Sequence, residues 1–560
     1  MLRLTLLITL ILTLSGCATY RQDIDEGLQL AKNGDWQGAE TVIDKALESP
    51  QDTLLRYLEK GALAQYQGDY ERSNELLEQA EQLSDTFFKK SLENRAWALL
   101  SNPRQSDYYG NGVERVYISY LKSLNYLALA EEAPARTPQR QSLLDAAVVE
   151  ARRIDLKLNE ISALTTSYAE LDAKENQAFY MKALDWLGNF YAGGRSSEEF
   201  QYREDAWGRY LEGLQYESAG DYDDARISYT NAAKLYESGY AKQYDLSPMT
   251  AQRARLDAIR MMQKSGWSQG EVDAAINQYL DSAHQELLSQ YQQHDTELVI
   301  IEHQGFIPDK AEMSLFLYAD PEAYSLVLDP VIPYENGRRN LNDYDEFRWF
   351  TMVYSDANPL SMFANYKAGG IWRTFDGLFT KRVILGAGVW RQLRSLGLEE
   401  QLLQVPLRIT VPFYRRFELD NQPGILSLGA DTMQTPTLRM SSLADIALQD
   451  QIAHAQRDIY EGLVRELLRA WLAQQARQQL VKDNTLGMLV GFASQVALMA
   501  TSAADTRNWL TLPAQVRLQR RPLAAGTYTP NYQVGEHSFT MEQTQIASGE
   551  MKIWNIRNPY

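Results

Sequence analysis

AGDYDDARISYTNAAKLY, residues 219–236, sets a Gly-Asp-aromatic triplet ahead of small and large residues at helical spacing. The arrangement occurs twice more, as NGDWQGAETVIDKALESP (33–50) and QGDYERSNELLEQAEQL (67–83). The aligned positions are Gly34, Asp35, Trp36 and Ala39; Gly68, Asp69, Tyr70 and Ser73; and Gly220, Asp221, Tyr222 and Ala225. Packing residues follow at Ile43 and Ala46, at Leu77 and Ala80, and at Tyr229 and Ala232. Glycine and aspartate suit a tight turn. The small residue lets two helices approach, and the next two share its helical face at i+4 and i+7. Upstream, Gly61 and Ala64 precede Gly68, and Gly213 and Tyr216 precede Gly220, at the spacing of a preceding helix. Each copy therefore reads as a helix–turn–helix hairpin.

Gly34 and Gly68 are 34 residues apart. That period and pattern resemble tetratricopeptide repeats, which stack into arrays used either as binding surfaces or as plain scaffold. The chain between the copies is also helical in pattern. Residues 112–132 place Val116, Tyr120, Leu124 and Leu127 on one face, and residues 142–161 do the same with Leu143, Ala147, Ala151, Ile154 and Leu158. Pro134 and Pro138 mark a loop between them. Helices continue over 268–293, with Ser268 as the N-cap.

From Glu297 the period changes. ELVIIE (297–302), MSLFLY (313–318), YSLVL (324–328) and VPLRITVPFY (405–414) read as short strands, with a turn at Glu335-Asn336-Gly337. A helical block returns over 441–480, and the apolar run 486–500 reads as a buried helix, too short and polar to span a bilayer. Strands follow at 514–520, 524–534, 537–543 and 550–557. The expected fold is multidomain. Residues 17–292 form an α-helical tetratricopeptide-like array, and 293–560 an α+β domain with a small C-terminal β region.

The 560-residue chain has one cysteine, in LTLSGCAT (12–19). Arg3 supplies a positive start, Leu4–Leu14 is an apolar core, and Ser15 and Gly16 are small residues before Cys17. This is a secretory signal over 1–16. It resembles a bacterial lipobox, which implies cleavage between Gly16 and Cys17 and lipidation of Cys17. Ala18 after the cysteine implies sorting to the outer membrane, with the body facing the periplasm. The expected membrane contact is through that lipid.

The net charge of −18 opposes nucleic acid and anionic lipid as partners. No phosphate loop, Gly-x-Ser-x-Gly elbow or HExxH occurs, and His284, His294, His303, His454 and His537 form no ligand pattern with Cys17. Accordingly no catalytic residue, metal site or cofactor is expected. The acidic NLNDYDEF (340–347) lacks the glycine and distant glutamate of an EF-hand. Two polar groups remain as candidates for binding or for structure. Arg152 and Arg153 could clamp a partner carboxylate or pair with Glu150. Asp505, Arg507 and Trp509 read as a clasp, an Asp–Arg pair beneath a Trp.

YLEGLQYESAGDYDDARISYTNAAKLY (210–236), RVYISYLKSLNYLALAE, AAVVEARRI and ADTRNWLTLPAQVRLQRRPLAAGTY (504–528) together are similar to a family of tetratricopeptide-bearing bacterial lipoproteins of unassigned biochemical role. Its members tend to be encoded near small lipoproteins that activate penicillin-binding proteins. The chain departs from that family at Asp205-Ala206-Trp207, where Asn-Pro and an aromatic are usual. The resemblance implies a non-enzymatic scaffold or adaptor with a protein partner in envelope assembly or peptidoglycan synthesis. The alternative is an enzyme or glycan-binding protein acting on envelope polymer through the C-terminal domain.

Overall fold

The computed structural model describes residues 16–93, 106–134, 136–174, 205–331, 380–404, 406–415, 422–428, 436–480 and 503–560, with a few isolated positions between them. The turn at 335–337, the helix at 486–500 and most of the acidic stretch 340–347 lie outside the described residues. A helical N-terminal half precedes a C-terminal region built of several small sheets.

The helices are α1 (Gly16–Lys32), α2 (Trp36–Ala46), α3 (Thr53–Tyr66), α4 (Tyr70–Glu93), α5 (Gly112–Glu132), α6 (Pro138–Lys174), α7 (Ala206–Ala219), α8 (Tyr222–Leu235), α9 (Met249–Lys264), α10 (Gln269–Tyr279) and α11 (Ser282–Gln293). The three Gly-Asp triplets make one turn three times. Gly34, Gly68 and Gly220 have φ of 81°, 80° and 88°, the left-handed region that glycine enters without strain. Their N–H groups donate to Ala31, Gln65 and Glu217, three residues back. The next N–H groups, of Asp35, Asp69 and Asp221, reach Leu30, Ala64 and Tyr216 at 2.9–3.0 Å. This pair of bonds closes the first helix. Each aspartate carbonyl then accepts the first bond of the second helix, from Ala39, Ser73 or Ala225.

A glycine seven residues before each turn lets the paired helices touch. A Cβ on Gly27 would stand 2.6 Å from Ile43, on Gly61 2.7 Å from Leu77, and on Gly213 2.7 Å from Tyr229. Ala39, Ser73 and Ala225 are fully buried at the same contacts. Trp36 packs on Tyr66, ring centres 5.5 Å apart, which ties the first hairpin to the second. Asp205 caps α7 by accepting from Trp207 N at 3.0 Å, so the departure noted at 205–207 keeps a helix start. Ser268 caps α10 in a reciprocal bond with Glu271, and the helical run breaks at Leu280-Asp281 before α11.

The strands are β1 (Thr296–Gln304), β2 (Lys310–Asp320), β3 (Ser325–Pro330), β4 (Lys381–Ile384), β5 (Leu407–Tyr414), β6 (Ile425–Leu428), β7 (Leu438–Ser442), β8 (Gln515–Leu523), β9 (Gly526–Tyr528), β10 (Pro530–Val534), β11 (His537–Thr540), β12 (Thr544–Ile546) and β13 (Met551–Asn558). Sheet one runs β13-β1-β8-β7, with β13 parallel and β8 antiparallel to β1. β1 is buried along its whole length. Val299 and Ile301 pack with the helices, while Leu298 and Ile300 pack with Leu426 and Tyr532 of the three-stranded sheet β11-β10-β6. Two covered faces explain an unbroken apolar run where one covered face would give alternation. A second four-stranded sheet, β4-β3-β2-β5, is backed by α12 (Leu443–Leu480), where Gly462 admits Ile409 of β5.

The change from helix to strand falls at His294. The core does not divide there. Sheet one and the segment ahead of β8 pack on α3, α5, α7 and α9.

Gly61→Ala and Gly213→Ala should each destabilise the protein by about 1–3 kcal/mol through overpacking. Urea unfolding checks this, and a change within 0.3 kcal/mol would contradict the close approach.

Candidate functional site

The densest chemistry lies where residues 505–520 meet the helices. At the N-terminal end of this segment Arg507, with no exposed side-chain surface, grips Asp505 through Nε (2.8 Å) and Nη2 (2.7 Å). It reaches across the chain to Asp52 at 2.8 Å and to the Ser106 carbonyl at 3.0 Å. A fork of five donors matches such a set, which a lysine could not fill. The ring beside the guanidinium is Tyr108, 5.4 Å away. The clasp thus joins Asp505 and Arg507 as the sequence indicates, but the aromatic partner differs. Trp509 is spent elsewhere: its Nε1 donates to Thr511 Oγ1 at 3.1 Å and its backbone N–H to Glu114 at 2.9 Å.

Two buried glutamates hold the next residues by their backbone. Glu59 of α3 accepts from Leu510 N (2.7 Å), Thr511 N (3.1 Å) and Thr511 Oγ1 (2.5 Å). Glu114 of α5 accepts from Trp509 N and from the Tyr108 hydroxyl. Burial drives the Glu59 carboxyl up to about 7, against the bonds from Thr511 and Leu510 that favour its charge. Burial raises Glu114 in the same way.

Further along, Arg520 of β8 enters a buried charge network, which the part-exposed Lys264 joins through Glu217 at 3.2 Å. Arg520 meets Glu217 of α7 at 2.9 Å, Glu297 of β1 at 2.6 Å and Asp257 of α9 at 3.4 Å. Arg260 bridges Asp257 (2.8 Å), Glu297 (3.1 Å) and Glu217 (3.4 Å), and Arg253 binds Asp257. The hydroxyls of Tyr210, Tyr229 and Tyr291 donate to Asp257, Glu217 and Glu297. Lys264 apart, every one of these charged side chains is less than a tenth exposed. Burial pushes the Asp257 and Glu217 carboxyls up, yet the arginines together hold both below the usual carboxylate range. Among these six groups, three arginines balance three carboxylates.

His303 of β1 sits between these clusters, buried, with Nε2 2.6 Å from the Tyr120 hydroxyl. Trp207 Nε1 donates to that same hydroxyl at 3.0 Å. An indole can only donate, so the tyrosine oxygen accepts from Trp207, which leaves the hydroxyl proton available to an imidazole nitrogen that carries none. Burial lowers the histidine to about 3, with Arg557 adding to the effect. The imidazole is neutral at physiological pH.

Arg153 pairs with Glu150 at 2.9 Å and Glu81 at 3.0 Å. Arg152 donates to the Tyr216 hydroxyl at 3.3 Å. Both face groups of the chain itself. Of the repeat signature, Tyr70 is half-buried, and Tyr222 lies under Lys264, 4.9 Å from ring centre to Nζ. Gly16 and Cys17 begin α1, and their side chains lie outside the described residues. Among the described residues no group of three His, Cys, Asp or Glu stands close enough to hold a metal ion. None of the described helices is long and apolar enough to cross a membrane.

Residue spacing alone could have flagged part of the network. Arg253, Asp257 and Arg260 stand at i, i+4 and i+7, a charged stripe on a helix otherwise rich in buried Ala, Ile and Met. Glu59 and Glu114 carry no such signal, since their partners are backbone N–H groups.

Arg520→Met should destabilise the protein by about 3–5 kcal/mol or prevent folding, because it strands buried carboxylates. Denaturant unfolding reads this, and a loss below 1 kcal/mol would contradict the network. Glu59 binds its proton more tightly when folded than when unfolded (about 7 against an ordinary 4.5). Its contribution is therefore fully present below pH 4.5 and lost as pH rises to 7. In Glu59→Gln that part of the pH dependence should vanish. The difference in stability between variant and parent should shift by a few kcal/mol across this window and stay flat above it.

No family model, curated protein or solved structure matches the chain.

Proposed function

We propose that the protein is a lipid-anchored scaffold or adaptor on the periplasmic side of a bacterial outer membrane, tethered through Cys17. On this reading the three hairpins are tetratricopeptide-like, the chain is a member of the lipoprotein family it resembles, and its partner is a protein of envelope assembly or peptidoglycan synthesis. The observation that carries the reading is the threefold hairpin, with the same glycine contact and the same turn at Gly34, Gly68 and Gly220. Arrays of such units present extended surfaces to partner segments. Residues 505–520 occupy the sheet-facing side, so a partner meets the outward helices. There Ile227 is 43 % exposed, and Trp267 is 39 % exposed beside Arg226.

A second reading is a glycan-binding or enzymatic role through the C-terminal region. It rests on an open recess of about 290 Å³ where Tyr244, Asp245, Phe417, Arg439 and Asp445 meet. An aromatic wall with polar groups of both signs suits a sugar.

Crosslinking in intact cells separates the two. The adaptor reading expects one protein partner, recovered at least fivefold less with Ile227→Ser and Trp267→Ser combined. Glycan fragments without a protein partner would favour the recess. Cys17→Ser should leave the outer-membrane fraction; retention there would contradict the anchor.

A further inference from the structure

The direction of the first helices fixes which way the array would face at a membrane. α1 begins at Gly16 and runs without a break to Lys32. Its first described core residue is Ile24, 3 % exposed. Only residues 18–23 separate Cys17 from that core. As helix they span about 10 Å, and fully drawn out they reach no more than about 25 Å. A chain of this length has a radius of gyration of roughly 24 Å. Such a tether is too short for the body to roll over on its anchor.

The hairpins then sort their ends into two edges. α1 and α2 are antiparallel about Gly34, α3 and α4 about Gly68. The start of α1, the 47–52 connector, the start of α3 and the far end of α4 therefore share one edge. Residues 106–111 join that edge, since Tyr108 N donates to the Gln51 carbonyl at 2.8 Å and Arg507 holds both Asp52 and the Ser106 carbonyl. α5 starts there too, with Leu54 near Gly110 and Asp85 of α4 paired to Arg115. The Gly-Asp turns Gly34 and Gly68 occupy the opposite edge.

We infer that the edge formed by residues 47–52 and 106–111 faces the lipid bilayer, and that the Gly-Asp turns point away from it. The inference rests on the lipid-anchored reading of Cys17 and adds an orientation to it. The clasp at Arg507 lies on the bilayer side. A partner reaching the outer ends of the hairpins approaches from the periplasm. No charge attraction is required, which suits a chain of net charge −18.

The test uses the lipidated full chain, with Cys17 blocked by its acyl group. Ser49→Cys and Gln67→Cys, both exposed positions, each receive a donor dye. The protein is placed in vesicles of phosphatidylethanolamine and phosphatidylglycerol carrying a headgroup-linked acceptor. α3 separates the two positions by about 20 Å. Energy transfer should place residue 49 closer to the headgroups by a distance of that order. A twenty-residue Gly/Ser insert after Thr19 should abolish the difference. Equal transfer, or stronger transfer from residue 67, overturns the orientation. Persistence of the difference with the insert overturns its origin in the short tether. If the protein does not float with the vesicles at all, the anchor itself is wrong and the orientation falls with it.

Discussion

Arg520 is the constraint on which the rest of the structure depends. Glu217 and Asp257 come from helices and Glu297 from the first strand, and all three lie out of water. Moving a carboxylate from water into a protein interior carries a penalty of several kcal/mol per ion. Arg253 and Arg260 supply two of the balancing charges from the helical side, and Arg520 supplies the third from β8. The helices hold two of the carboxylates and two of the arginines, and the strands one of each, so neither half has a charge excess. What separation breaks is the pairing across them, Arg520 with Glu217 and Asp257 and Arg260 with Glu297.

The 505–511 segment repeats this logic with backbone donors. Glu59 and Glu114 take the N–H groups of residues 509–511, a stretch that would otherwise have unmet donors as it crosses from solvent to the sheet. Arg507 closes the outer end by binding two carboxylates and a carbonyl. Buried donors and acceptors left unpaired are expensive, so the geometry is tightly specified. The result is one core shared by a helical array and a sheet, with the array's sheet-facing side used internally. That arrangement argues for function on outward faces and at the ends of the hairpins.

Much of the helical half is legible from single residues. Gly34, Gly68 and Gly220 need the left-handed backbone, the small residues Ala39, Ser73 and Ala225 sit at close contacts, and both requirements are local. The strand at 297–302 is legible because two covered faces leave a continuous apolar run. What the sequence hides is long-range pairing. Arg520 meets Glu297 across 223 residues, and Leu510 meets Glu59 across 451. The clasp shows both sides of this. Asp505 and Arg507 are two residues apart and their bond can be read locally, whereas Tyr108, the ring against the guanidinium, comes from a distant loop and displaces Trp509 from that role. The charged stripe 253–257–260 signals a buried polar face, but not what it faces.

Cutting between helices and sheet tests whether the two share one core through their crossing ion pairs. A chain of residues 18–293 keeps α2–α11 whole and α1 from its third residue, and loses Glu297, Arg520 and the 505–511 segment. Circular dichroism and urea unfolding of this fragment beside the full chain decide the matter. The fragment should be partly unfolded or unfold at much lower urea than the intact protein. A cooperative fragment with the midpoint of the full chain would contradict the shared core.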